Sequence, residues 1–354
     1  MASYSLLRLV LLLVVLTGAP DASMAAHLRL LPPMGVIPNA ISDDGRVVVG
    51  EGYNPRSGYV AFWYQTGQRV REIKPPMWVT LRATGVSADG LTIVGYGVNT
   101  SVEHQIPIFW HRREGFMEIN DNPDRDMRAL GISGDGRVVV GILDGPGGFG
   151  AARPFRWSAT EGLLELETLD GRQSGARAVS YNGKVIVGND WVGEGELKVF
   201  RAYRWLSDGK AELLGSLGGE TSEGAGVSAD GSVIVGSSQT SDGSYHAYRW
   251  TRYGSPRMQQ LDLGTQFINS FGTAVSNQGH IVGSGLERGV TSAFLWTPLD
   301  GLKSLNERFR SALPRGITLH SAEDISADGR WITGRALHPR RGIIGYILDT
   351  GRQK

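Results

Sequence analysis

Hydrophobic positions along this chain fall into short β-branched runs, each closed by a glycine and preceded by a turn signal. Val47-Val48-Val49-Gly50, Val138-Val139-Val140-Gly141, Val185-Ile186-Val187-Gly188 and Val233-Ile234-Val235-Gly236 are the clearest. Every run follows a serine, and the seven serines at 42, 87, 133, 180, 228, 276 and 326 are separated by 45, 46, 47, 48, 48 and 50 residues. Between serine and run stands Asp-Gly at 44–45, 89–90, 135–136, 230–231 and 328–329, replaced by Asn182-Gly183 and Gln278-Gly279 in two copies. Asp-Gly and Asn-Gly accept the positive φ of a tight hairpin. Each copy therefore predicts a strand ending at serine, a turn, and a second strand through the run. The Val/Ile character of that second strand suits burial on both faces.

Two further strands complete a copy. A small-aromatic-x-aromatic pattern recurs at Ala61-Phe62-Trp63-Tyr64, Pro154-Phe155-Arg156-Trp157, Ala202-Tyr203-Arg204-Trp205, Ala247-Tyr248-Arg249-Trp250 and Ala293-Phe294-Leu295-Trp296. It weakens to Pro107-Ile108-Phe109-Trp110 and decays to Gly345-Tyr346-Ile347-Leu348. A strict period marks these aromatics as core, because ligand contacts rarely recur in every repeat. A weaker Leu-x-x-Leu pattern follows, as in Leu163-Leu164-Glu165-Leu166 and Leu302-Lys303-Ser304-Leu305. Four strands in about 47 residues make one propeller blade, so the chain predicts an all-β, seven-bladed β-propeller with four-stranded blades. The last copy lacks a fourth strand, whereas His27-Leu28-Arg29-Leu30-Leu31-Pro32 resembles a fourth strand without its first three. An N-terminal strand is thus expected to complete the last blade and remove two sheet edges.

Composition adds little to the fold and narrows the function classes. Fifty glycines fit many tight turns, and a hydrophobic content of 41% is enough for a packed core. A net charge of +1 supplies no field for nucleic acid or a membrane surface. The absence of cysteine rules out disulfides. At the N-terminus, Arg8 precedes the apolar stretch Leu9–Leu16, which is too short to span a bilayer, and Ala22-Ser23-Met24-Ala25-Ala26 offers small residues for cleavage. Residues 1–25 therefore read as a signal peptide and 26–354 as a single propeller domain. The product is expected to be an exported monomer, periplasmic or extracellular, with no later stretch apolar enough to cross a membrane.

The unit, with Tyr245-His246-Ala247-Tyr248-Arg249-Trp250 as its nearest match to a His-Ala-Phe core, resembles the HAF family of bacterial extracellular repeats. Its Ser-x-Asp-Gly turn is also similar to the blades of TolB-type periplasmic propellers. The resemblance covers residues 27–350 and implies export from a bacterial cell. The family carries no agreed activity, and some members are passengers of larger surface proteins. No translocator barrel or sorting tail is read before Lys354, so secretion by the chain's own C-terminus is not expected.

Candidate chemistry lies outside the uniform serine turns, in the loops from second to third strand and from blade to blade, where length and composition vary. Within the first strand, the position three before the serine varies most: Asn39, Thr84, Leu130, Arg177, Ala225, Thr273 and Glu323. Asp324 stands where other copies have Ala or Gly. Arg177, Glu323 and Asp324 are therefore the candidate binding residues, expected at the channel mouth on the variable rim. In Asn189–Glu196, the carboxylates of Asp190, Glu194 and Glu196 form an oxygen-rich loop of the kind that takes calcium, although not with helix-loop-helix spacing. The glycine-rich stretch Asp144–Gly150 lacks the lysine of a phosphate cradle. The seven histidines are scattered without metal-ligand spacing, and the repeat serines are structural, since a nucleophile is not copied into every blade.

The expected function is an exported binding protein whose loop-rich rim, with Trp78 and Trp191 among its aromatics, holds a glycan, a peptide or a protein partner. A hydrolase or lactonase-like enzyme with a calcium-assisted site at the channel mouth is the first alternative. A structural role in the cell envelope is the second. No cofactor other than calcium is implied.

Overall fold

The structure, a computed structural model, describes residues 25–32, 35–56, 58–74, 79–99, 104–117, 119, 125–144, 152–168, 174–192, 199–263 and 267–351. Of the expected signal segment 1–25, residues 1–24 lie outside them. So do Trp78, Glu194, Glu196 and residues 145–150.

Strand β1 (His27–Leu30) precedes six consecutive four-stranded antiparallel sheets. They are β2 (Ile37–Ile41), β3 (Val47–Asn54), β4 (Gly58–Gln65) and β5 (Arg71–Glu72); β6 (Val79–Val86), β7 (Thr92–Asn99), β8 (His104–His111) and β9 (Gly115–Met117); β10 (Met127–Ile132), β11 (Val138–Leu143), β12 (Arg153–Ser158) and β13 (Gly162–Glu165). Then come β14 (Gly175–Val179), β15 (Val185–Val192), β16 (Val199–Leu206) and β17 (Ala211–Gly215); β18 (Gly218–Val227), β19 (Val233–Thr240), β20 (Tyr245–Thr251) and β21 (Met258–Gln260); β22 (Phe267–Val275), β23 (Ile281–Glu287), β24 (Val290–Thr297) and β25 (Gly301–Ser304). A short helix α1 (Leu305–Arg308) leads to the last three strands, β26 (Thr318–Ile325), β27 (Trp331–His338) and β28 (Gly342–Asp349). Blade 7 is completed by β1, in the order β1-β28-β27-β26, with Leu28 opposite Leu348 and Leu30 opposite Tyr346. The architecture is the predicted seven-bladed, all-β propeller with the N-terminal strand in the last blade. A single cavity touches the first strand of every blade, so these strands wall the axis of the ring.

The repeat motif is a turn built around its serine. Ser42 Oγ donates to Asp44 Oδ1 at 2.7 Å and accepts from the Val47 amide at 2.9 Å. Ser87, Ser133, Ser228 and Ser326 repeat the pair with Asp89, Asp135, Asp230 and Asp328. Asn182 replaces the aspartate in blade 4. The glycine that follows has φ between 68° and 76° in all seven turns. The same turns join neighbouring blades: the amide after the serine meets the next blade, as in Asp43 N to Ala88 O and Tyr181 N to Ala229 O, each 3.0 Å, except in blade 3, where Asp135 N, two after the serine, donates to Tyr181 O at 3.1 Å.

The closing glycine of each β-branched run has a different cause. It stands opposite a β-bulge: the register shifts between Pro38 and Ala40, Ala83 and Gly85, Ala129 and Gly131, Ala176 and Ala178, Gly224 and Gly226, Gly272 and Ala274, and Ala322 and Asp324. There the first strand bends, and a carbonyl points at the glycine Cα. A Cβ on Gly188 would lie 1.9 Å from the Gly175 oxygen. Gly188→Ala is therefore expected to cost upward of about 3 kcal/mol and to lower the thermal midpoint sharply. Gly209→Ala, at φ +77° with open space around it, should cost only about 1 kcal/mol. Circular dichroism melts of the two variants check this.

The core lies between blades. Val48, Val49, Ile93, Val94, Val139, Val140, Ile186, Val187, Ile234, Val235, Ile281, Val282 and Ile332 are fully enclosed. The inner aromatics Phe62, Phe155, Tyr203, Tyr248, Phe294 and Tyr346 are equally buried, as the strict period predicts. The outer tryptophans are more varied: Trp205 and Trp250 are enclosed, whereas Trp110, Trp157 and Trp296 are half-buried. In blade 6 the expected strand Leu302–Leu305 ends one residue early. Ser304 takes an extended backbone and its side chain accepts from the Asn306 amide, which starts α1 instead.

Candidate functional site

Two consequences of the bulge define the channel. It turns the residue three before each serine inward, so Asn39, Thr84, Leu130, Arg177, Ala225, Thr273 and Glu323 line one cavity of about 250 Å³. It also frees the preceding carbonyl, which the neighbouring blade can cap. Asn39 Nδ2 donates to Ala83 O at 2.9 Å, Thr84 Oγ1 to Ala129 O at 2.9 Å, and Thr273 Oγ1 to Ala322 O at 2.8 Å. The residues after the serines line the same cavity: Asp43, Ala88, Gly134, Tyr181, Ala229, Asn277 and Ala327.

The three residues singled out in the sequence do share this cavity, each in a different situation. Glu323 turns to its own blade, accepting from Ser321 Oγ at 2.7 Å and pairing with Arg335 Nε at 3.1 Å. Asp324 reaches across to blade 1, where its Oδ2 accepts the Ile41 amide at 2.9 Å, while its Oδ1 accepts from Ile325 at 2.8 Å. Burial pushes the Asp324 carboxyl up to about 7; the two amides oppose the rise, and the charges of Asp43 and Glu323 add to it. Arg177 has no hydrogen bond or ion pair to any described residue. It stands in blade 4, three blades from both blade 7 and blade 1, the greatest separation that a seven-membered ring permits.

A fourth residue was missed. Asp43 follows the repeat serine, where most copies carry a small residue, and its Oδ1 accepts the Ala327 amide of blade 7 at 3.2 Å. Burial raises its carboxyl too, offset in part by that amide. Asn277 plays the same part between blades 6 and 5, accepting from Ala229 N at 3.2 Å. Comparison of that column across the seven copies distinguishes both. Asp43 and Asp324 thus stitch blade 7 to blade 1 from opposite sides of the seam where the ring closes.

The predicted calcium loop is only partly described. Asp190 is buried and accepts from Ser174 Oγ. Serines at the matching place in blades 5 and 6, Ser222 and Ser270, accept the amides of Ala202 and Ala247 and donate to Gly215 O and Asp262 Oδ2. Ser174 keeps the donating half of this pattern, toward Asp190, and has no amide to accept because the matching residue of blade 3 is Pro154. Among the described residues no group of three or more His, Asp or Glu side chains is placed to hold a metal ion.

No family model and no curated protein matches this chain. Its fold is that of several solved structures. The β-propeller domain of the Trilobed protease from Pyrococcus furiosus matches with a TM-score of 0.61 and 14% identity over 94% of this chain and 96% of that one. That domain is described as having an open velcro topology; here β1 pairs with β28. Acylaminoacyl peptidase from Pyrococcus horikoshii matches with a TM-score of 0.59 and 13% identity over 94% of this chain but only 52% of the peptidase. TolB from Acinetobacter baumannii matches with a TM-score of 0.49 and 13% identity, over 88% of this chain and 65% of that one. The class of the molecule is thus the seven-bladed β-propeller, and at these identities the likeness concerns the fold alone. No described helix is long and apolar enough to cross a membrane.

Proposed function

We propose that this propeller is an exported binding protein whose channel holds a short peptide-like ligand with charge at both ends. One observation carries this reading: the channel wall is polarised across its diameter. Asp43, Glu323 and Asp324 gather at the closing seam, and Arg177, without a partner among the described residues, stands three blades away. A cationic group is favoured at the first side and a carboxylate at the second, where guanidinium geometry adds bidentate hydrogen bonding. The lining between them is mostly Ala, Gly and β-branched residues, which leaves a narrow passage for an extended chain. Export is supported by the charged, apolar and small-residue succession at the N-terminus.

The test is calorimetric titration of free and end-capped di- and tripeptides. Free peptides should bind best. Asp324→Asn should weaken those with a free amine by about tenfold, and Arg177→Ala those with a free carboxylate by a similar factor. Indifference of every peptide to both variants, or hydrolysis of the peptides by the wild type, overturns the proposal.

A further inference from the structure

The net charge of +1 supplies no overall field, but it is spread unevenly. Neighbouring blades join through their serine turns, and each blade is an antiparallel meander. Hairpins from second to third strand therefore leave from the opposite rim. Three of them, in the adjacent blades 6, 7 and 1, carry apolar side chains at their tips. Tyr53 pairs across the strands with Tyr59, and Leu337 with Ile343; these side chains and Val290 are each between 49% and 58% exposed. Arg56, Arg288, Arg340 and Arg341 are exposed on the same tips, where Glu287 is the one carboxylate among the described residues. The turn Arg288-Gly289 has φ of 49° and 81°, where Asn-Gly is the usual choice, so this tip holds its cation at a cost in backbone strain. The corresponding turn of blade 5 holds Asp242 and no arginine. A cavity of about 460 Å³ lies beside the tips: Arg288, Arg310 and Arg315 line it against Glu287 and Glu307, and Gly316 in its wall packs on Pro339 of the blade 7 tip.

We propose that the rim of blades 6, 7 and 1 docks onto an anionic phospholipid surface. Tyrosine and arginine are amphipathic and settle at a lipid–water interface. Leucine and isoleucine enter the acyl boundary, and each arginine gains from the negative surface potential. An acidic protein would match the charge, but it would need a surface shaped to cover apolar side chains on three separate hairpin tips. A bilayer takes them in without such a shape. This docking is independent of the channel ligand and uses none of its residues.

The chain has no cysteine, so a thiol introduced at one place takes an environment-sensitive dye there. Ile343→Cys reports on this rim. Leu299→Cys, 91% exposed in the turn between β24 and β25, reports on the opposite one. Co-sedimentation should show binding to vesicles of equal parts phosphatidylcholine and phosphatidylglycerol, little binding to phosphatidylcholine alone, and weakening by added salt. On the mixed vesicles the dye at 343 should shift to the blue and the dye at 299 should not. Arg340→Gln with Arg341→Gln should weaken binding at least about tenfold, and Leu337→Ser with Ile343→Ser by a similar factor. All four side chains are exposed, so both variants should melt like the wild type. No sedimentation, equal sedimentation with the two vesicles, or equal shifts at 343 and 299 overturns the proposal. Loss in the arginine variant with none in the Leu337 and Ile343 variant would mark a surface for an acidic partner and overturn the membrane reading.

Discussion

A chain lacking residues 27–32 is expected to lose most of its cooperative melt. These residues supply the fourth strand of blade 7, with β1 running antiparallel to β28 and the Leu31 amide donating to Gly345 O at 2.8 Å. Leu28 and Leu31 are buried, Leu28 in the cluster that includes Ile344, Tyr346 and Leu348 and Leu31 in that of Val36 and Ile347. Two leucines and a short ladder amount to roughly 5–8 kcal/mol, a large share of the stability of an ordinary domain. Deletion also leaves β28 as an open edge, which invites pairing with other chains. Differential scanning calorimetry and light scattering should show a lowered, broadened transition and aggregation on heating. An unchanged melt would mean that the ring does not depend on this closure.

Asp324→Asn is expected to stabilise the protein at pH 8 and to do little at pH 4. Burial holds the carboxyl near 7 against an ordinary value of 3.8. Between those values the folded protein binds a proton that the unfolded chain releases, so this group's contribution to stability is full below about pH 4 and falls as pH rises to about 7. Above 7 the charged form is carried at a constant cost. Asparagine keeps one acceptor, for the Ile41 amide, gives up the one that Ile325 N–H uses, and carries no charge. The gain at pH 8 should be roughly 2–4 kcal/mol, the upper end being the full shift and the lower allowing for water in the channel. Asp43 has a raised carboxyl of its own, and the lowered carboxyls of Asp230 and Asp349 act in the opposite sense. The informative quantity is therefore the difference in thermal midpoint between variant and wild type across pH 4–8. A flat difference would show that Asp324 is well solvated.

Much of the fold is legible in the sequence because its causes are local and repeated. The positive φ at Gly45 or Gly183 and the serine-to-Asp pair follow from residues within five positions of one another. The glycine closing each run was equally visible, but its cause was not. Only the paired strands show that Gly188 faces the Gly175 carbonyl across a bulge. The same bulge sends Arg177, Glu323 and Asp324 into the channel, so the variable column was readable as a column while its direction rested on a backbone irregularity.

Turn chemistry, β-branched runs and their spacing by themselves determined the number of blades, the strands within them and the strand that closes the ring. These follow from hydrogen bonding and burial over short stretches of chain, repeated seven times. The tertiary structure decided which side chains meet: Asp324 with the Ile41 amide 283 residues away, Asp43 with Ala327 across the seam, and Arg177 in the same channel as Glu323 and Asp324. Those contacts depend on the ring having closed and on bulges that aim single residues inward. A residue that occurs once leaves no period to read.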